Sequence, residues 1–192
     1  MLPYKSWPGQ IKVDMNVLYR TKTYLAGPMQ YNNGEAWRSK ITPILEKMAV
    51  TVFNPYHKPF LKDIQENDAT RKHINELMDG EKYDEVQERM REIRAYDLNL
   101  VDRSDFIVAY LNPTYPTYGT VEELVTAVRM KKPTFIAVEG GKKKCPFWIM
   151  GMFPHKYIYN NIDDILNMLI KIDTGEKEID SDRWRLLRKE YR

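Results

Sequence analysis

Five short β-branched and aromatic runs, separated by stretches of helical period, constrain this chain more than any other feature. Residues 22–26, KTYLA, read as a buried strand that stops at Gly27-Pro28, and residues 50–55 as a second strand ended by Pro55. Residues 104–111 give the third and most apolar strand, 133–138 the fourth, and 156–159 a shorter fifth. Between them, Trp37, Ile41, Ile44, Leu45 and Met48 recur at helical spacing over 34–48. Further helices are predicted over 120–130 and 162–170. Strands alternating with helices imply parallel pairing through right-handed crossovers. The expected fold is an α/β one: an open, mainly parallel five-stranded sheet of flavodoxin or Rossmann type, with helices on both faces. Such sheets bind ligands outside the carboxyl ends of their strands. That directs attention to the loops after residues 26, 54, 111 and 138.

Two segments break the alternation. Residues 56–100 are far longer than one crossover needs, so a helical insertion over 56–92 is expected between the second and third strands, with the crossover helix at about 84–101. Residues 1–20 form an N-terminal arm in which IKVDMNV alternates like an edge strand. Residues 173–192 form a charged tail. At 192 residues the whole is expected to be a single domain.

Composition narrows the function classes. A net charge of +3 is too close to balance for whole-surface attraction to a nucleic-acid polymer, so none is expected as a partner. No apolar run approaches the roughly 20 residues that span a bilayer, and the start of the chain lacks a signal-peptide core. A soluble, cytoplasmic protein with no membrane partner is expected. One cysteine, Cys145, excludes a disulfide framework, and three scattered histidines show no metal spacing, so no metal and no cofactor are expected. The turn at Gly27 lacks the further glycines of a dinucleotide fingerprint, and no P-loop follows any strand.

The residues able to carry chemistry cluster at the predicted strand ends. Gly27 allows close backbone approach, Pro28 stiffens the turn, and Met29 follows them. After the third strand, NPTYPTYGTVEEL at 112–124 stays irregular until a helix begins near Thr120, taken as its N-cap. Glu122 and Glu123 would then lie in the first helical turn, where the macrodipole favours carboxylates. Only one of two adjacent glutamates can readily face a cleft, with Leu124, Ala127 and Val128 defining the buried side. Asp97, Asp102 and Asp105 are further carboxylates near the third strand, Asp105 reading as a strand-entry cap. Flat walls for a ring are available from Tyr31 or Tyr118.

Taken in order, YLAGPM, VFNP, YDLNLVDRSDFIVAYLNP and YGTVEEL resemble the nucleoside 2-deoxyribosyltransferase family, which includes the 2′-deoxynucleoside 5′-phosphate N-hydrolases. The resemblance covers about residues 22–55 and 93–140. It implies one catalytic glutamate in a Gly-x-x-x-Glu-Leu pattern; counted from Gly119, this is Glu123, with Glu122 the bystander. It also implies a role for Asp97 in positioning the sugar or the nucleophile, or in proton transfer. Substrate contacts would come from Gly27, Pro28, Met29, Tyr31, Asn54, Asn112, Thr117, Tyr118, Gly119 and Thr120. The expected reaction is cleavage of the N-glycosidic bond of a nucleoside through a glycosyl-enzyme, the sugar passing to another base or to water. An alternative is hydrolysis of a nucleoside 5′-monophosphate, and a second is a catalytically silent nucleotide-binding module. Family transferases carry Asp six residues before the catalytic Glu, where this chain has Thr117. The nucleotide-hydrolysing branch has Ser there to hold a phosphate, and a threonine hydroxyl can do likewise. By the same resemblance a neighbouring subunit completes the site, making Trp148 and Met150 cross-subunit candidates and a homo-oligomer, dimer or larger, the expected assembly.

Overall fold

The computed structural model describes residues 16–29, 33–57, 68–115 and 117–177. Among these, five strands, β1 (Lys22–Ala26), β2 (Thr51–Phe53), β3 (Phe106–Leu111), β4 (Thr134–Val138) and β5 (Ile158–Tyr159), pair in the order β2-β1-β3-β4-β5. Every pairing is parallel. Among the described residues, six helices connect or flank them: α1 (Asn33–Lys47), α2 (Asp68–Asp79), α3 (Tyr83–Arg103), α4 (Tyr118–Arg129), α5 (Phe147–Met152) and α6 (Ile162–Asp173). The α/β fold expected from the alternation is therefore the observed one.

Buried residues alternate between two cores because successive side chains of a strand point to opposite faces. Leu25, Val108, Phe135 and Ala137 pack under α1 and α6, against Trp37, Ile41 and Leu169. Tyr24, Ala26, Ile107, Ala109 and Ile136 face the other way, under α3, α4 and α5. Strand order reverses between β1 and β3, the topological switch point where a crevice opens beyond the carboxyl ends of such sheets. Asn161 caps α6 by accepting from the Asp164 N–H at 2.9 Å, and Asp163 and Asp164 in its first turn complement the helix dipole.

Two sequence expectations are corrected. Helix α4 begins at Tyr118, two residues before the expected cap, so Thr120 is a buried helical residue. Thr117 takes the cap position without a side-chain cap bond, and both glutamates fall beyond the first turn, where the dipole acts weakly. A glycine inside a helix costs only about 1 kcal/mol relative to alanine, so Gly119 does not stop α4 from starting at Tyr118. At the N-terminal arm, residues 17–20 form turns. They are tied to the end of α6 by Val17 N–H to the Asp173 carbonyl (3.0 Å) and Leu18 N–H to its carboxylate (2.9 Å). Most of the alternating 11–17 segment lies outside the described residues, as do 58–67 of the insertion and the tail beyond 177. What is described of the insertion is α2 and the first turns of α3.

Candidate active site

The side chain that organises the crevice comes from the middle of β1. Tyr24 is 1% exposed, and its hydroxyl donates to Glu123 Oε1 at 2.7 Å. Glu123 sits on the second turn of α4 and Asp97 near the end of α3, both buried at 9% and 8% exposure. The two carboxylates line one cavity of about 690 Å³. Their adjacency is also felt electrostatically at Tyr24. Burial, then the charges of Glu123 and Asp97, push its hydroxyl well above the ordinary value of 10.0, and the Arg38 charge opposes them.

Adjacent Glu122 behaves differently. Its carboxylate takes two hydrogen bonds from the Arg94 guanidinium, one of them Nε to Oε2 at 2.7 Å, at the exposed rim of the cavity. The hydrogen bond from Arg94 holds the Glu122 carboxyl below its usual range. A 100° step per helical residue thus sends one glutamate inward and its neighbour to the rim.

Of the other candidates, Gly27, Met29, Thr117, Tyr118, Gly119 and Thr120 line the same cavity. Tyr118 does so at 88% exposure, so it stands at the mouth and not as a buried wall. Pro28, Asn54 and Asn112 are not brought to the cavity. The Asn54 side chain accepts from the Tyr56 N–H at 3.1 Å, while Asn112 donates to Glu139 and accepts from the Thr114 N–H at 2.9 Å. Tyr31 lies outside the described residues. On α5, Trp148 is 80% exposed and Met150 packs partly into the α3/α4 core. Cys145 is buried, which pushes its thiol up and away from reactivity. Asp105 accepts from the Lys22 N–H at 2.7 Å, tying the starts of β1 and β3 together.

Sequence reasoning missed Arg38. This arginine is fully buried on α1, and its guanidinium donates to the carbonyls of Leu25 (3.2 and 3.1 Å), Gly27 (2.9 Å), Pro28 (3.0 Å) and Gly34 (2.7 Å). It also stacks over Trp37, 4.6 Å from the ring centre. The Gly-Pro loop is therefore shaped from beneath by one planar cation. A missing side chain assists: a Cβ on Gly34 would lie 2.5 Å from the Pro28 carbonyl oxygen and 2.7 Å from the Tyr56 hydroxyl. Gly34→Ala is accordingly expected to displace this loop and cost about 1–3 kcal/mol, as overpacking does. A thermal melt reads this directly, and an unchanged melting temperature would mean that the contact yields freely.

One buried and two half-buried tyrosines set an alkaline limit. Tyr24, Tyr110 and Tyr159 all have hydroxyls raised above 10.0, each mainly by burial. The folded protein holds these protons more tightly than the unfolded chain does. The stability they contribute is thus complete below about pH 10 and declines as pH rises past it. Urea midpoints should be flat up to about pH 9.5 and fall above, more gently in Tyr24→Phe. Identical slopes in the two proteins would show that Tyr24 does not carry its share.

A family model described as nucleoside 2-deoxyribosyltransferase matches residues 23–168. Among solved structures, a 2-deoxyribosyltransferase from the psychrotolerant bacterium Bacillus psychrosaccharolyticus superposes with a TM-score of 0.54 at 18% identity, over 76% of this chain and 90% of that one. At that identity the likeness concerns the fold. A CMP N-glycosidase from Clostridium botulinum reaches 0.45 at 15% identity, covering 78% of this chain and 98% of that chain. A conserved protein from Enterococcus faecalis also gives 0.45 at 15%, covering 88% and 95%. No curated protein matches the sequence. No helix among the described residues is long and apolar enough to cross a membrane.

Proposed function

The chain belongs to the nucleoside 2-deoxyribosyltransferase family, and on that premise we propose that it cleaves the N-glycosidic bond of a 2′-deoxynucleoside, passing the sugar to another base or to water. One observation carries the reading: Glu123 and Asp97 are both buried and line one cavity, with Tyr24 holding Glu123 by a hydrogen bond. Breaking the C1′–N bond builds positive charge on the sugar ring. A carboxylate beneath C1′ stabilises that charge and can close onto it, as in retaining glycoside hydrolysis. In this proposal Glu123 is the nucleophile, Tyr24 fixes its rotamer, and Asp97 orients the sugar hydroxyls. Water or an incoming base then attacks C1′ and restores the carboxylate.

A specific observation favours a second reading, in which the substrate carries a 5′-phosphate. The cavity continues along α3 past Asp97 to Arg94 and Arg91, roughly 4.5 and 9 Å further along the helix axis. Thr117, with a hydroxyl where transferases carry a carboxylate, lines the same space. Arg94 has donors to spare beyond Glu122, since a guanidinium carries five N–H groups.

Incubation with each 2′-deoxynucleoside, with and without a 5′-phosphate, followed by chromatography for free base and exchanged nucleoside, tests both readings. Under the first, the unphosphorylated set is consumed; under the second, only the phosphorylated set. Tight binding of an intact nucleotide with no turnover across the panel would mark a silent binding module instead.

A further inference from the structure

The loop that floors the cavity has its carbonyls drawn to one side. Arg38 takes those of Leu25, Gly27 and Pro28. The Met29 carbonyl accepts twice, from the Tyr56 hydroxyl at 2.7 Å and from Arg71 Nη2 at 3.0 Å. Arg71 lies on α2, so the helical insertion reaches this loop directly. No cis peptide occurs among the described residues. In a planar trans peptide the N–H points opposite to the C=O. Because the Pro28 carbonyl faces the guanidinium on the α1 side, the Met29 N–H points away from it, and Met29 is one of the residues that line the cavity. No acceptor for it is found among the described residues.

We propose that the Met29 amide N–H binds the departing nucleobase, donating to the acceptor atom next to the glycosidic nitrogen (purine N3 or pyrimidine O2), with Arg38, Tyr56 and Arg71 as its positioning residues. The assignment rests on the proposed glycosidic cleavage and supplies what that reaction lacks. As the C1′–N bond breaks, its electron pair stays on the base. A Glu123 oxygen forms the new bond to C1′, and the base becomes an anion until it takes a proton from water. Water then attacks C1′, its proton leaves to solvent, and the Glu123 carboxylate is released. Thr117 offers a neutral hydroxyl, which is a poor acid toward that anion. A backbone N–H held by three side chains needs no reorganisation as charge develops, the condition under which such a donor contributes most. Arg91 and Arg94 stand farther out, on the exposed part of α3.

The experiment compares a 2′-deoxynucleoside with 4-nitrophenyl 2-deoxyriboside, whose leaving group is stable as an anion and has no ring acceptor beside the scissile bond. An ester in place of the Met29 amide should cut kcat on the nucleoside by about 10²-fold or more, while changing the nitrophenyl substrate by no more than about threefold. Tyr56→Phe and Arg71→Met should show the same split at about 10-fold, and Arg71→Lys should recover part of it. A 3-deazapurine nucleoside, lacking the acceptor, should be insensitive to all of these changes. Equal losses on both substrates, or no loss with the ester, overturn the assignment. A wild-type protein that cleaves neither substrate instead overturns the glycosidic reading, and the role of Met29 falls with it.

Discussion

Glu123→Gln is expected to leave a folded protein that releases base at no more than about one thousandth of the wild-type rate. The substitution preserves shape, and a glutamine carbonyl can still accept from Tyr24, so the packing around 9%-exposed Glu123 should survive. What disappears is the charge and the nucleophile. A unit charge about 4 Å from a forming cation, in an effective dielectric near 20, is worth about 4 kcal/mol. That corresponds to roughly 10³ in rate, before loss of the covalent route is counted. Glu122→Gln is the control. Its side chain sits at the rim in an exposed pair with Arg94, and such pairs hold little energy. Its activity should stay within about twofold of wild type. Single-turnover assays with melting curves on both variants decide the matter. Equal losses from the two would mean that the inward-facing carboxylate is not the reacting one.

In the sequence the two glutamates are told apart by the Gly-x-x-x-Glu-Leu resemblance; helix geometry says only that one of them can face inward. Leu124 and Ala127 fix the buried face of α4, and adjacent residues on a helix diverge by 100°, so geometry alone allows one inward glutamate. The strands were legible for a similar reason. Runs such as FIVAYL are buried on both faces, as a central parallel strand requires. The start of α4 differs from the sequence expectation because Tyr-Gly beside prolines carries the signature of a turn, whereas the observed helix runs through Gly119 from Tyr118. The partner of Glu123 was harder still. Tyr24 and Ala26 share a strand face by period 2, but which face meets α3 and α4 depends on crossover handedness and strand order. Arg38 was the least legible: in GEAWRSK it reads as an ordinary solvated helix residue. Its burial follows from the carbonyl-rich turn next to it, a feature that resides in backbone geometry and not in residue type.

That arginine carries the largest expected stability effect. Arg38→Met removes five hydrogen bonds onto four carbonyls at a site with no solvent exposure. Each buried carbonyl left without a donor costs about 1–3 kcal/mol, and water entry can relieve only part of this. Dismantling a buried charged network typically costs about 3–5 kcal/mol in total. For a chain of this size that lowers the melting temperature by roughly 10 °C. Arg38→Lys should fall in between, because one ammonium keeps the charge and cannot span four acceptors in a planar fork. A catalytic consequence accompanies the structural one. The Arg38 charge lowers the Tyr24 hydroxyl against the raising effect of burial, Glu123 and Asp97, so its loss removes that counterweight at the residue bonded to Glu123, along with the support of the Gly-Pro loop. Activity measured well below the lowered melting temperature should therefore fall in Arg38→Met and recover in part in Arg38→Lys. If Arg38→Met melts within about 2 °C of wild type, the loop is held by something other than this guanidinium, and the case for a fixed Met29 amide weakens with it.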